Sequence, residues 1–320
     1  MIGHLGMSSA VWYSASGGSK LAYQQTVASP AAVSGVGVHT GVKVSLRLAP
    51  APANTGIVFK RTDLEGFAIE ARVRNVARVS YATTLMRKGV LISTTEHLLS
   101  ALAAFEVDNA FVEIDNLELP IIDGSALPFV RLIREAGLKR QRARRKYIKI
   151  LKPVEVVDGG KRMAVYPSDR FFVTYRILFP HPLIGEQIRE YVPGEASYER
   201  EIAPARTFGF MEELEALRKM GLIRGGSLEN AIVLTRDGVI NPEGLRFPDE
   251  FCRHKMLDLI GDLALLGHPV IGHVLADRAG HAMHAALATR ILADKTAWKL
   301  VTGAEVKRPQ LDMEPVGVVA

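Results

Sequence analysis

The segment FCRHKMLDLIGDLALLGH, residues 251–268, constrains this chain more than any other stretch, because one short element has to satisfy two opposed environments. On a helical wheel advancing about 100° per residue from His254, Asp258 falls at about 40°, Asp262 at about 80° and Lys255 at about 100°. Met256, Leu257, Leu259, Ile260, Leu263 and Ala264 fill the sector from roughly 140° to roughly 300°. Four polar groups therefore share one stripe opposite a broad apolar face, with Leu265 breaking the pattern at the helix end. Cys252, about 160° from His254, falls with the core side.

Two readings of the stripe stay open on spacing alone. His254 and Asp258 stand one turn apart, so an imidazole nitrogen and a carboxylate oxygen can reach one metal ion; the same spacing also makes an ordinary ion pair on a solvated face. A third ligand is available in STTEHLLSAL, where Glu96 and His97 adjoin a helix start. Ser93-x-x-Glu96 matches a capping box, in which Glu96 serves a backbone amide. Alternatively His97 completes the ligand set and Glu96 is a base for water. In ADRAGHAMH, Ala279-Gly280 either presents His281 at a strand-to-helix turn or simply opens a helix. The glycines of GVGVHTG, Gly35, Gly37 and Gly41, resemble a phosphate cradle, but no helix pattern follows and the order does not fit a dinucleotide fingerprint.

The rest of the chain sets the fold class. Short β-type segments (KVSLRLAP, TGIVFKR, FAIEARVRNVARV, NAFVEIDN) alternate with helical ones at 94–105 and 126–137. The pattern then restarts, with strands at YIKILKPVEVV, KRMAVYP and FFVTYRILF and helices at MEELEALRKMG, 251–266 and 283–299. Each half predicts α+β layering, and 320 residues at 48% hydrophobic composition suit two domains. Between them lies KRQRARRK, in which Lys139, Arg140, Arg142, Arg144, Arg145 and Lys146 equal the whole net charge of +6. The run reads as a solvated linker at a boundary near residue 145; it could also meet phosphates or an anionic membrane surface, but no interleaved aromatics support nucleic-acid binding. The expected domains are thus 21–145 and 146–305, with a loose extension over 1–20 and a tail over 306–320. A single cysteine excludes a disulfide framework or a multi-thiolate zinc site and fits a reducing, cytoplasmic compartment. Neither a signal peptide nor an apolar run of ~18 residues is present in the sequence.

Taken together and in order, SGVGVHTG, APANTGIVFKRTD, STTEHLLSAL, DNAFVEID, LPIIDGSALPFV, ARTFGFMEELEALRKMGLIRGGSLENAIV, GLRFPDEFCRHKMLDLIGDLALLGHPVIGH and AGHAMHAAL resemble the UDP-3-O-acyl-N-acetylglucosamine deacetylases, zinc amidases of lipid A synthesis in the Gram-negative envelope. The resemblance implies two similar α+β domains, each a β-sheet layered with two helices, the four helices packed between the sheets and the site between the domains. It implies zinc, or alternatively iron(II), held by His97, His254 and Asp258. Glu96 becomes the general base, and His281, held by Asp262, the cationic partner at the oxyanion and leaving amine. Thr207 supports the carbonyl oxygen, Lys255 and Phe208 contact substrate, and Arg278 lies near the diphosphate. Met211, Leu214, Ile223 and Gly226 line an acyl passage. The implied reaction releases acetate from UDP-3-O-acyl-N-acetylglucosamine, the committed step of the pathway, in a monomeric enzyme without a nucleic-acid partner; transient contact of the basic run with anionic lipid is a further expectation. Where the family often carries a cysteine near the metal, this chain has SYATTLMRKG.

These residue types suit amide hydrolysis, which needs activated water, a stabilised oxyanion and a protonated leaving nitrogen. A carboxylate base paired with an imidazolium acid predicts a bell-shaped pH profile. The alternatives are a metal amidase for another acylated sugar, which UDP would not inhibit, and a basic nucleic-acid module, which would bind in a steeply salt-dependent manner and hydrolyse nothing. A catalytically silent relative has no support, since Glu96, His97, His254, Asp258 and His281 are all present.

Overall fold

A computed structural model describes residues 22–192 and 194–303. The expected extension over 1–20 and tail over 306–320 lie outside the described residues.

Two five-stranded sheets carry the fold, and they share one topology. The first orders its strands Ala31–Val36, Lys43–Pro50, Ala110–Ile114, Ile57–Arg61, Phe67–Glu70. The second runs Val154–Asp158, Lys161–Tyr166, His273–Asp277, Phe172–Phe179, Gly185–Tyr191. In each, the strand that comes last in the chain is inserted at the centre, antiparallel to one neighbour and parallel to the other. A chain can fill that central slot only after a long excursion, and each excursion delivers at least one helix. The duplication, not detectable as a sequence repeat, is thus visible in strand order.

Among the described residues there are six α-helices. They are α1 (Glu96–Ala104), α2 (Leu127–Ala136), α3 (Glu195–Glu201), α4 (Met211–Lys219), α5 (Glu250–Ala264) and α6 (His281–Ala293). The excursion of the first half yields α1 and that of the second yields α3, α4 and α5; α2 and α6 follow the respective central strands. Helix α2 packs on the first sheet, α5 and α6 on the second, and α1 meets both α5 and α2. One apolar cluster runs through both halves, including Leu46, Phe59, Leu98, Leu102, Phe129, Tyr175, Leu257, Leu259 and Leu287. Cys252 is fully buried within it, as the wheel predicts.

The helices of the two halves meet closely at Gly261 of α5. A Cβ there would lie 2.1 Å from the carbonyl oxygen of Glu96, so only glycine allows α1 and α5 to touch at this level.

Two expectations need correction. The basic run is not a solvated linker: Leu138–Arg144 is a β-strand paired antiparallel with Tyr23–Val27. The guanidinium groups of Arg140 and Arg144 lie over the Tyr23 ring, while Arg145 is buried with Asp108 at 2.8 Å and Glu106 at 3.0 Å. Alternating exposure along the strand lets one side carry charge, which composition alone reads as solvation. Second, the helix expected over 283–299 ends at Ala293, and Trp298–Thr302 is a strand pairing with Lys146–Ile150. Asp294 ends the helix, its carboxylate accepting the amide and hydroxyl of Thr296.

Candidate active site

Three helices bring the polar groups together. Helix α1 presents Glu96 and His97 in its first turn, α5 presents His254, Lys255, Asp258 and Asp262, and α6 opens with His281. Glu96, His97, His254, Asp258, Asp262 and His281 are all buried. The polar stripe of α5 therefore faces a cleft between helices rather than water. The capping-box reading of Glu96 fails: the N-cap is Thr95 with no side-chain cap bond, and the Ser93 hydroxyl instead meets Thr84 at 2.9 Å. The Glu96 carboxylate accepts the Thr83 amide at 3.1 Å.

A possible metal position is defined by His97, His254 and Asp258, whose ligand atoms all lie within 4.8 Å of one another. The Nε2 atoms of His254 and His97 stand 3.5 and 3.7 Å from Asp258 Oδ1. His254 Nδ1 donates to the Ala205 carbonyl at 3.1 Å, which leaves its Nε2 lone pair directed at the cluster. Lys255 donates to Asp258 Oδ2 at 2.9 Å. Asp258 Oδ1, by contrast, is buried with no hydrogen-bond partner, as is His97 Nδ1. An unpartnered buried carboxylate oxygen is costly, and here it is the atom that both imidazoles approach. This donor set fits a divalent metal with a position left open. Burial, reinforced by His254, pushes His97 down to about 3, and burial also lowers His254, so both rings are neutral and able to ligate. Burial by itself would raise Asp258, but Lys255 and the neighbouring imidazoles hold it well below the usual carboxylate range.

A second cluster adjoins the first. Asp262 Oδ2 accepts from His281 Nδ1 at 2.7 Å and from His284 Nδ1 at 2.8 Å, and Oδ1 accepts the Thr83 hydroxyl at 2.6 Å. His284 Nε2 in turn lies 3.1 Å from the Tyr175 hydroxyl. His281 Nε2 is left facing Glu96 Oε1 at 3.9 Å and Asp258 Oδ2 at 3.8 Å. Burial would lower His281, but Asp262 and then Asp258 override it and raise the imidazolium to about 9. Burial pushes Glu96 up to about 8, with Asp262 and Asp258 adding to the rise against the opposing charge of His281. The site thus pairs a carboxyl and an imidazole, both displaced upward and facing each other at 3.9 Å beside the proposed ligand set.

From this centre a cavity of about 740 Å³ extends past Thr207 and Phe208. Met211, Leu214, Ile223 and Gly226 all line it, with Leu217, Leu228, Val233 and Ile240 extending its apolar wall. Tyr81, 57% exposed, lies at its rim, within the stretch where the family resemblance leads one to look for cysteine. The Thr207 segment is anchored by the buried pair Arg206–Glu250, with Nε to Oε1 at 3.0 Å, and by the Thr207 amide donating to Gly124 at 2.8 Å. Lys255 Nζ lies 5.6 Å from the Phe208 ring centroid, so these two sequence-predicted contacts adjoin. Arg278 does not line the cavity; its guanidinium bonds the Gly160 carbonyl and lies 3.4 Å from Asp277.

Sequence reasoning missed Thr83, His284, Tyr175 and Gly261. An isolated glycine inside an otherwise helical pattern is a usable signal for close packing. Thr83 and Tyr175 carry no local signal, since their partners lie 179 and 109 residues away.

A buried His–His–Asp set beside a carboxyl and an imidazole, on a two-sheet α+β scaffold, is the residue set of a metal-dependent hydrolase. The chain belongs to the UDP-3-O-acyl N-acetylglycosamine deacetylase (LpxC) family, whose model matches residues 24–293. It is 55% identical over 280 residues to a UDP-3-O-acyl-N-acetylglucosamine deacetylase of Solibacter usitatus (strain Ellin6076), covering 88% of this chain and 95% of that protein. A protein of the same name from Phenylobacterium zucineum (strain HLK1) is 50% identical over 286 residues, covering 88% and 98%.

Proposed function

We infer that this protein is a deacetylase of lipid A biosynthesis, removing the N-acetyl group of UDP-3-O-acyl-N-acetylglucosamine to give acetate and UDP-3-O-acylglucosamine. The observation that carries the reading is the convergence of Glu96, His97, His254, Asp258 and His281 from three helices, beside a cavity that Glu96 and His97 line.

His97, His254 and Asp258 hold the metal, zinc or alternatively iron(II), which when bound polarises the amide carbonyl and acidifies water. Glu96, with a carboxylate oxygen facing the centre, takes the proton from the attacking water. His281 donates from Nε2: its Nδ1–H is committed to Asp262, so the second proton points toward the reacting group. That proton stabilises developing oxyanion charge and then passes to the leaving nitrogen. Asp262 fixes the ring and keeps it cationic. Thr207 offers a hydroxyl to the carbonyl oxygen, and Lys255 and Phe208 flank the sugar. Met211, Leu214, Ile223 and Gly226 receive the acyl chain, for which an apolar wall is the matching surface. We assign Arg278 to the diphosphate only through the family resemblance. The two domains, 21–145 and 146–305, each contribute one side of the site. The enzyme works as a cytoplasmic monomer; no helix among the described residues is long and apolar enough to cross a membrane.

Metal analysis of purified protein beside an acetate-release assay on UDP-3-O-acyl-N-acetylglucosamine tests the reading. Glu96→Ala retains metal and loses activity by about 10²- to 10⁴-fold, and UDP inhibits the wild type competitively. A fully active Glu96→Ala, or indifference to UDP, overturns it.

A further inference from the structure

A second cavity, of about 140 Å³, lies at the opposite ends of α1 and α5 from the ligand set. Leu99, Leu102, Val107, Ile260, Leu263 and Val270 make its wall. Its size compares with an apolar cavity of ~150 Å³ that stays dry and takes up a benzene-sized guest. Its lining also holds charged groups, which are foreign to such a cavity, and one of them has no ion-pair partner. Arg72 forms part of the lining, and its side chain makes no hydrogen bond or ion pair with any described residue.

The surroundings fix that guanidinium but do not neutralise it. A Cβ on Gly267 would overlap it and one on Gly56 would stand 3.3 Å from it, so two glycine backbones seat the group. The charge of Glu70 acts on Arg72, but the ion pair of Glu70 is made with Arg74. The other charged lining groups cancel: Asp108 accepts from Arg145 at 2.8 Å and from the Gln25 amide at 2.8 Å, and Arg145 also holds Glu106 at 3.0 Å. His268, also in the wall, is pushed down to about 4 by burial and by Arg72, Lys146 and Arg145, the mark of a positive local potential. Arg72 also borders an outer cleft with Asn54, Thr55 and Glu70, so it is shared by the two cavities.

We propose that this chamber is a binding site for a short-chain monocarboxylate, its carboxylate paired with Arg72 and its alkyl chain among Leu99, Leu102, Ile260 and Leu263. A planar guanidinium with free donors matches a carboxylate in two parallel hydrogen bonds, and the apolar wall rewards burial of a chain of about five or six carbons. An alkylamine of the same length fails because it sets a cation against Arg72. The site is separate from the acyl passage, with which it shares no lining residue.

Isothermal calorimetry on the full chain, with hexanoate, hexan-1-ol and hexylamine as probes, tests the site. Hexanoate binds saturably, hexan-1-ol about tenfold or more weakly, and hexylamine not at all. Arg72→Gln lowers hexanoate affinity about tenfold or more. His97→Ala leaves it unchanged, which distinguishes this chamber from carboxylate binding at the catalytic metal. Nuclear Overhauser contacts from the hexanoate chain to the methyl groups of Leu102 and Leu263 locate the ligand even if Arg72→Gln does not fold. Equal affinity for hexanoate and hexan-1-ol, loss of binding in His97→Ala, or contacts to Met211 and Leu214 instead would overturn the proposal.

Discussion

Asp258 and Asp262 stand one turn apart on α5, yet they anchor clusters in opposite states. Around Asp262 every oxygen is used: two imidazoles and a hydroxyl donate to it at 2.6–2.8 Å. Around Asp258 one oxygen takes Lys255, and the other, though buried and approached by two imidazole nitrogens, has no donor. Both groups contain two histidines and an aspartate within ligand distance of one another, so composition does not separate them. Hydrogen bonding does. The saturated cluster is complete as protein and suits positioning of His281. The unsaturated one carries a cost that a cation removes.

Four experiments break or sharpen that contrast. The largest effect falls on the unsaturated cluster: in His97→Ala, metal content drops from about one ion per chain to near zero by mass spectrometry, and acetate release falls to background. In the saturated cluster, Asp262→Asn keeps the metal and lowers kcat about 10- to 100-fold. It also shifts the pH profile in a determined direction. Activity needs Glu96 ionised and His281 protonated, so the rate rises with pH through the first ionisation and falls through the second. Without metal the two lie at about 8 and about 9. A bound dication lowers both, by favouring the carboxylate and opposing the imidazolium. Removing the Asp262 charge lowers His281 further, so the alkaline limb moves to lower pH; an unmoved limb would mean that Asp262 does not set it.

Gly261→Ala tests the contact between the halves. Its Cβ would meet the Glu96 backbone at 2.1 Å, and the displaced helices cost ~1–3 kcal/mol in chemical denaturation, with reduced metal affinity because His97 and His254 sit on different helices. The smallest effect is expected of Thr83→Val, which keeps the amide bond to Glu96 but removes the hydroxyl bond to Asp262. A loss of about tenfold or less in kcat, restored by Thr83→Ser, separates this role from simple packing.

Much of the site was legible in the chain because its residues lie on helices with a strict period. His254, Asp258 and Asp262 fall on one stripe by arithmetic, and the leucines opposite them are buried as the wheel requires. Glu96 and His97 were visible but ambiguous, since a capping box and a catalytic pair share one spelling. The uncapped Thr95, the Ser93 hydroxyl turned to Thr84 and the Thr83 amide at the Glu96 carboxylate resolve them. The basic run misled because six cations read as solvation, whereas pairing with Tyr23–Val27 makes it a strand and the Asp108–Glu106 pair takes Arg145 inside.

What the sequence determined by itself is periodic or local: the α+β class, the two-faced helix over 251–268, the glycine-led entry to His281, and the family to which the ordered motifs point. What only the tertiary structure decided is every relation between distant segments. The common strand order of the two sheets, the meeting of α1 and α5 at Gly261, and the choice of which aspartate is satisfied and which is left open all depend on segments that lie well beyond one helical turn of each other, from 19 residues between Asp262 and His281 to 179 between Asp262 and Thr83. The physical reason is one of range: side-chain periodicity is set by neighbours three and four residues away, whereas hydrogen-bond saturation of a buried group depends on whatever the fold places beside it.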